Sequence, residues 1–221
     1  MTLYSNFVGI IEDNFLSQNE IIDIKEKVLQ YKELWKFEGD TGFFPYGLYA
    51  KEDKEYRLLV DEFRNLLETN FSSVYTKIQK KISDLFETSI SFVSHKHKPG
   101  FHIFGPGPLD YKNINYHTDQ FPNVLGKIYS FIIPISLPET PTGLDYIPVE
   151  KNIGISDIKR YASTEICKTL IYNNPGCLGM WDGNVIHTIK PFILNKNEYR
   201  ITMQFHMAFN TIYPSKSFIF W

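Results

Sequence analysis

The chain's 221 residues (25.9 kDa) suffice for about one domain whose core buries roughly two-thirds of the unfolded surface without disulfides. Lys and Arg number 23 against 25 Asp and Glu, so no basic field exists to hold a nucleic-acid backbone, and 43% hydrophobic residues exclude a disordered chain. No apolar run approaches the roughly 18 residues of a spanning helix, so neither nucleic acid nor membrane is an expected partner.

At the N-terminus the short apolar patch from Phe7 to Ile11 lacks a preceding basic region and runs into Glu12 and Asp13, unlike a signal peptide. Ser17-Gln18-Asn19-Glu20 fits a capping box. Ile21, Ile24, Val28, Tyr31 and Trp35 then recur at helical spacing. A loop of turn formers and aromatics follows, Gly39 to Gly47. A second helical stretch starts near Asp53 with Leu58, Leu59, Phe63, Leu66 and Leu67, and a third carries Val74, Ile78, Ile82 and Phe86. Residues 1–87 therefore read as a mainly helical layer.

From Thr88 the character changes to short β-rich runs between turns: 89–97, 101–104, 127–135, 168–172, 178–181, 200–209 and 217–221. Aromatic residues at 16% agree with a substantial sheet. Many short strands indicate a sandwich or barrel, and no linker separates the halves, so residues 1–221 are expected to form a single α+β domain with 88–221 as its β core. Cys167 and Cys177 form no Cys-x-x-Cys pair and give no disulfide framework, so a reduced, cytoplasmic protein is the default. The chain has no phosphate loop, dinucleotide fingerprint or nucleophile elbow.

The chemistry lies with histidine. His117-Thr118-Asp119 places an imidazole and a carboxylate two residues apart, which in a strand point to one face. His187 follows 70 residues later, delivered on a returning strand by the turn Asp182-Gly183-Asn184, and Arg200 stands 13 residues beyond it. From there the alternation is clean. Arg200, Thr202, Gln204 and His206 share one face, and Ile201, Met203, Phe205 and Met207 the other. A polar face inside a sheet and an apolar face outside imply a polar pocket with helices packed behind it. An arginine in such a pocket needs an anion, and a bound carboxylate is a reasonable partner.

This order and spacing resemble the Fe(II)- and 2-oxoglutarate-dependent dioxygenases, over roughly residues 88 to 210. The resemblance implies a double-stranded β-helix (jelly-roll) core with the N-terminal helices on its outer face. It implies that His117, Asp119 and His187 hold Fe(II), and that Arg200 pairs with the distal carboxylate of 2-oxoglutarate, with Thr202 and Tyr129 as further contacts. Thr142-Gly143-Leu144, followed by Tyr146-Ile147-Pro148, is similar to a turn of phytanoyl-hydroxylase-like members. Asp119 departs from the halogenases, His206 from the nucleic-acid demethylases, which carry a second arginine there, and Arg200 from the lysine of most prolyl hydroxylases. The implied reaction uses Fe(II), 2-oxoglutarate and O₂ to hydroxylate an unactivated C–H of a small polar molecule such as an amino acid or natural-product intermediate, releasing succinate and CO₂. No protein partner is evident.

His95, His97, His102, Tyr116 and Trp181 are candidate substrate contacts. His206 reads as a hydrogen-bonded core histidine. Two alternatives stay open: a cupin-like metal enzyme that does not use 2-oxoglutarate, and a catalytically silent binding module of the same fold.

Overall fold

A computed structural model describes residues 4–44, 54–93, 99–112, 115–121, 124–148 and 167–221. The elements of the first part are β1 (Val8–Glu12), α1 (Gln18–Gln30), β2 (Lys36–Glu38), β3 (Thr41–Phe44) and α2 (Lys54–Leu85). There follow β4 (Ser91–Phe92), β5 (Gly100–Phe104), β6 (Leu109–Tyr111), β7 (Lys127–Ser136) and β8 (Gly143–Ile147). The chain closes with β9 (Lys168–Ile171), β10 (Leu178–Asp182), β11 (Ile186–Ile189), β12 (Phe192–Leu194), β13 (Arg200–Phe209) and β14 (Phe218–Phe220).

Among the described residues the main sheet has the order β1-β10-β7-β13-β5-β3-β2, with β14 on β13 and β4 on β14. A smaller sheet, β11-β8-β9, faces its inner side across a cavity, and the pair β12-β6 packs on Phe104 of β5, the arrangement of a jelly roll. The helices cover the outer side. Ile24 and Val28 of α1 and Leu67, Phe71, Ile78 and Ile82 of α2 share one buried cluster with Phe131, Ile133, Met203, Phe205 and Met207 of the sheet. No described helix is long and apolar enough to cross a membrane.

The capping box of α1 forms as expected, with the Glu20 carboxylate accepting from the Ser17 N–H at 2.7 Å and the Ser17 hydroxyl from the Glu20 N–H at 3.4 Å. The helix stops at Gln30, short of Trp35, whose buried indole donates back to the Val28 carbonyl at 3.2 Å. The second and third helical stretches are one helix. No Gly or Pro separates Leu67 from Val74, so the chain continues through, bent at Phe71 (φ -127, ψ 15). There the Asn70 side chain donates to the Leu66 carbonyl at 2.8 Å, and Lys27 of α1 donates to the Asn70 carbonyl at 3.1 Å.

Two expectations need correction. Gly39 to Phe44, read as loop, is part of the β2–β3 hairpin, and β3 extends the main sheet through β5. Val8–Glu12 also forms an edge strand on β10, so the N-terminal part supplies strands as well as helices. Both runs are short and only partly alternating, which hides them from a periodicity test.

Candidate active site

Asp182 builds the turn that delivers His187. Its Oδ1 accepts from the Asn184 N–H at 3.1 Å, its carbonyl from the Val185 N–H at 2.9 Å, and its Oδ2 from the Asn6 N–H at 3.0 Å. His187 then meets His117 in a one-residue antiparallel bridge, each N–H donating to the other's carbonyl at 2.9 Å. Asp119 is anchored by its N–H to the Gly183 carbonyl at 2.9 Å. Gly183 is required for this close approach: a Cβ there would lie 2.9 Å from the Ile128 side chain and 3.0 Å from the Asp119 carbonyl oxygen. His117 thus forms an isolated bridge, with Asp119 two residues beyond it, rather than both lying on a regular strand, and their convergence comes from these backbone anchors.

One ligand atom each from His117, Asp119 and His187 lies within 4.8 Å of the others. His187 Nε2 is 3.5 Å and His117 Nε2 3.9 Å from the Asp119 carboxylate. Both imidazoles are oriented through Nδ1, His117 to the Asn115 carbonyl at 2.8 Å and His187 to the Val185 carbonyl at 2.9 Å. A carbonyl only accepts, so the proton sits on Nδ1 and each Nε2 presents a lone pair to the same space. Burial lowers the His187 pKa to about 4 against the opposing pull of Asp119, which keeps the ring neutral. Burial alone would raise the Asp119 carboxyl, but His187, His206, His117 and the Ser130 hydroxyl outweigh it and hold the group ionised. Two neutral imidazoles and one carboxylate form a donor set suited to Fe(II).

The Asp119 carboxylate is itself fixed. Its Oδ2 accepts from the Ser130 hydroxyl at 2.6 Å and from the Trp181 indole N–H at 2.9 Å. Ser130 gives its only proton to Asp119, so its 2.9 Å contact with His206 Nδ1 has the histidine as donor. Trp181 is therefore an anchor of the carboxylate as well as part of the cavity wall. His206 is hydrogen-bonded, as read from the sequence, and it also lines the cavity.

Arg200 lines the same cavity, of about 430 Å³. It is fully buried, flanked by the rings of Phe104 and Phe192, each centred 5.4 Å away. Its Nε donates to Thr142 Oγ1 at 3.2 Å, while Nη1 and Nη2 have no partner. The buried hydroxyls of Tyr172 and Thr202 also have none. Tyr172 and Thr142 are brought together by the Tyr172 N–H bonding to the Thr142 carbonyl at 3.1 Å. A buried guanidinium with two free nitrogens, together with two buried unpaired hydroxyls, is complementary to a carboxylate.

Tyr129 is not among these groups. On β7, Ser130 sits opposite His206 and Trp181 and so shares the cavity face, which turns Tyr129 to the helices, where its ring meets Phe86 at 4.9 Å. The strand is buried on both faces, and nothing in its composition reveals which parity faces inward. His102 lines the cavity. Tyr116 pairs with Cys167 Sγ at 3.2 Å and is not among the described lining residues. His95 and His97 lie outside the described residues. Sequence reasoning missed Tyr172, Phe43 and Trp221 as cavity groups, Ser130 as a partner of Asp119 and Thr142 as a partner of Arg200. Thr142 alone carried a signal, through the Thr-Gly-Leu turn.

No protein-family model matches the sequence, and no curated protein matches it. Solved structures do. AviO1 from Streptomyces viridochromogenes Tue57 aligns over 94% of this chain and 93% of its own, at 13% identity and TM-score 0.55. The nogalamycin-biosynthesis epimerase SnoN, solved with Fe3+ and alpha-ketoglutarate, aligns over 87% and 75%, at 11% identity and TM-score 0.53. An N-substituted L-amino acid dioxygenase from Burkholderia ambifaria, in complex with alpha-KG, aligns over 78% and 71%, at 11% identity and TM-score 0.50. The chain thus has the jelly-roll fold of non-heme alpha-ketoglutarate-dependent enzymes. A His-Asp-His cluster stands in that fold's cavity.

Proposed function

We propose that this chain is an Fe(II)- and 2-oxoglutarate-dependent oxygenase of a small molecule. The observation that carries the reading is the pairing, in one cavity, of three convergent metal-ligand atoms with a buried guanidinium whose two terminal nitrogens lack an acceptor. His117, Asp119 and His187 would hold the metal. Arg200, Tyr172 and Thr202 would hold the distal carboxylate of 2-oxoglutarate, which answers the unpartnered donors. Together the metal, the oxoacid and O₂ supply the oxidising power for C–H cleavage, with succinate and CO₂ as co-products.

The protein's part is positional. Asn115 and Val185 fix the imidazole tautomers, Ser130 and Trp181 fix the carboxylate, and Phe104 and Phe192 keep water from the guanidinium. No side chain has to act as a general base. Hydroxylation of an unactivated C–H, in a substrate such as an amino acid or natural-product intermediate, is the reaction this reading favours.

Anaerobic absorption spectroscopy tests it. Wild-type protein titrated with Fe(II) and then 2-oxoglutarate is expected to develop a visible charge-transfer band. Asp119→Ala abolishes the band, and Arg200→Ala raises the 2-oxoglutarate needed by about 100-fold or more. Iron binding without a band would favour a metal enzyme that does not use 2-oxoglutarate. A folded protein that binds no iron would sink both.

A further inference from the structure

Beyond the residues assigned above, the cavity has an aromatic wall. Phe43 of β3, His102 of β5 and Trp221, just past β14, form it. The His102 ring meets Phe43 edge-on at 4.7 Å (82°) and Trp221 at 5.2 Å (62°). Gly100 admits the indole. A Cβ at that position would lie 2.8 Å from both Cε2 and Nε1 of Trp221. Trp221 is only 6% exposed, yet its indole N–H has no partner, and neither does His102 Nδ1. A buried donor without an acceptor is costly, and here two such polar atoms belong to neighbouring rings that line one cavity.

The charge inventory narrows the occupant. Among the described lining residues the permanently charged side chains are Asp119 and Arg200, both engaged in the function proposed above. Burial, reinforced by the Arg200 charge, lowers the His102 pKa to about 3, so this ring is neutral near pH 7. The remaining lining mixes the ring of Phe121 with aliphatic Ile132, Leu144 and Ile189 and with uncharged polar side chains such as Gln204. Among the described residues, a charged group seated there would have no counter-ion.

We propose that this wall selects an uncharged, ring-containing substrate whose hydroxyl or carbonyl oxygen accepts from Trp221 Nε1–H beside His102, which makes these two residues determinants of specificity. The proposal rests on the oxygenase reading and narrows it to neutral cyclic molecules rather than free amino acids. A hydroxyl oxygen suits either tautomer of His102, since it both donates and accepts.

The test uses protein loaded anaerobically with Fe(II) and saturating 2-oxoglutarate, and equilibrium dialysis against three probes sharing one ring system: 2-naphthol, 2-naphthoate and 2-naphthylmethylammonium. 2-Naphthol is expected to bind at least about tenfold more tightly than either ion. Trp221→Phe keeps a ring and removes the N–H, so it is expected to weaken 2-naphthol about fivefold while changing the ions little. Equal or tighter binding of an ion overturns the proposal, as does no binding of any probe. So does an unchanged 2-naphthol affinity in a Trp221→Phe protein with wild-type circular dichroism. Should that variant fail to fold, the charge series on the wild type decides alone. A missing charge-transfer band with the 2-naphthol preference intact would instead count against the 2-oxoglutarate reading, because the two failures appear in different signals.

Discussion

Along β13, Ile201, Met203, Phe205 and Met207 meet the helices, while Arg200, Gln204 and His206 border the cavity and Thr202 lies buried on the same face. The helix side is complete in itself. Phe205 stacks on Phe131 with ring centres 4.9 Å apart and planes 5° from parallel, and no atom of that contact asks for a partner. The cavity side is incomplete, with the two terminal Arg200 nitrogens and the Thr202 hydroxyl buried and unpaired. One strand therefore divides its labour by parity. Alternate residues hold the fold together, and those between them hold polar groups in readiness for something else.

The largest effect should come from the complete side. Phe205→Ala removes a fully buried ring and is expected to cost about 3–5 kcal/mol in chemical denaturation. A loss below about 1.5 kcal/mol would mean that this face is not core. On the incomplete side the sign should reverse. Arg200→Met replaces a buried, largely unpaired cation with an apolar chain of similar length, and the ligand-free protein is expected to gain about 1–3 kcal/mol. The same variant should no longer be stabilised by 2-oxoglutarate in thermal melts. A less stable Arg200→Met protein would show that the guanidinium is satisfied from within the fold.

A third effect concerns acid. The folded His102 pKa, about 3, lies below the ordinary 6.5, so as pH falls the unfolded chain takes up this proton first. Its contribution to stability is fully present above pH 6.5 and is lost as pH falls toward about 3. Between pH 6.5 and about 4.5 the loss from this group is roughly 2 kcal/mol. His102→Phe should flatten the acid limb of the stability curve by that amount. An unaltered limb would place His102 in contact with water.

The sequence made much of this division legible. Alternation on β13 separated its two faces correctly because polar and apolar residues were interleaved over ten positions. The same test failed on β7, which runs through apolar residues on both sides and left Tyr129 and Ser130 indistinguishable by parity. The spacing from His117 to His187 and Arg200 drew attention to residues that do meet around one cavity. The means of meeting were hidden. A one-residue bridge and an Asp119–Gly183 backbone bond leave no periodic trace. Tyr172 and Trp221 also reach the cavity through tertiary pairings, Thr142 with Tyr172 and Trp221 over Gly100, that no local pattern encodes.

The bridge between His117 and His187 has a consequence for the economy of metal exchange. Two residues 70 positions apart are clasped by their own peptide groups, so their approach does not wait for an ion. In small zinc modules the metal organises the chain, and a chelator is a denaturant. Here the clasp is part of the polypeptide. A chelator is therefore expected to leave the far-UV circular dichroism of this chain unchanged, unlike that of a zinc module.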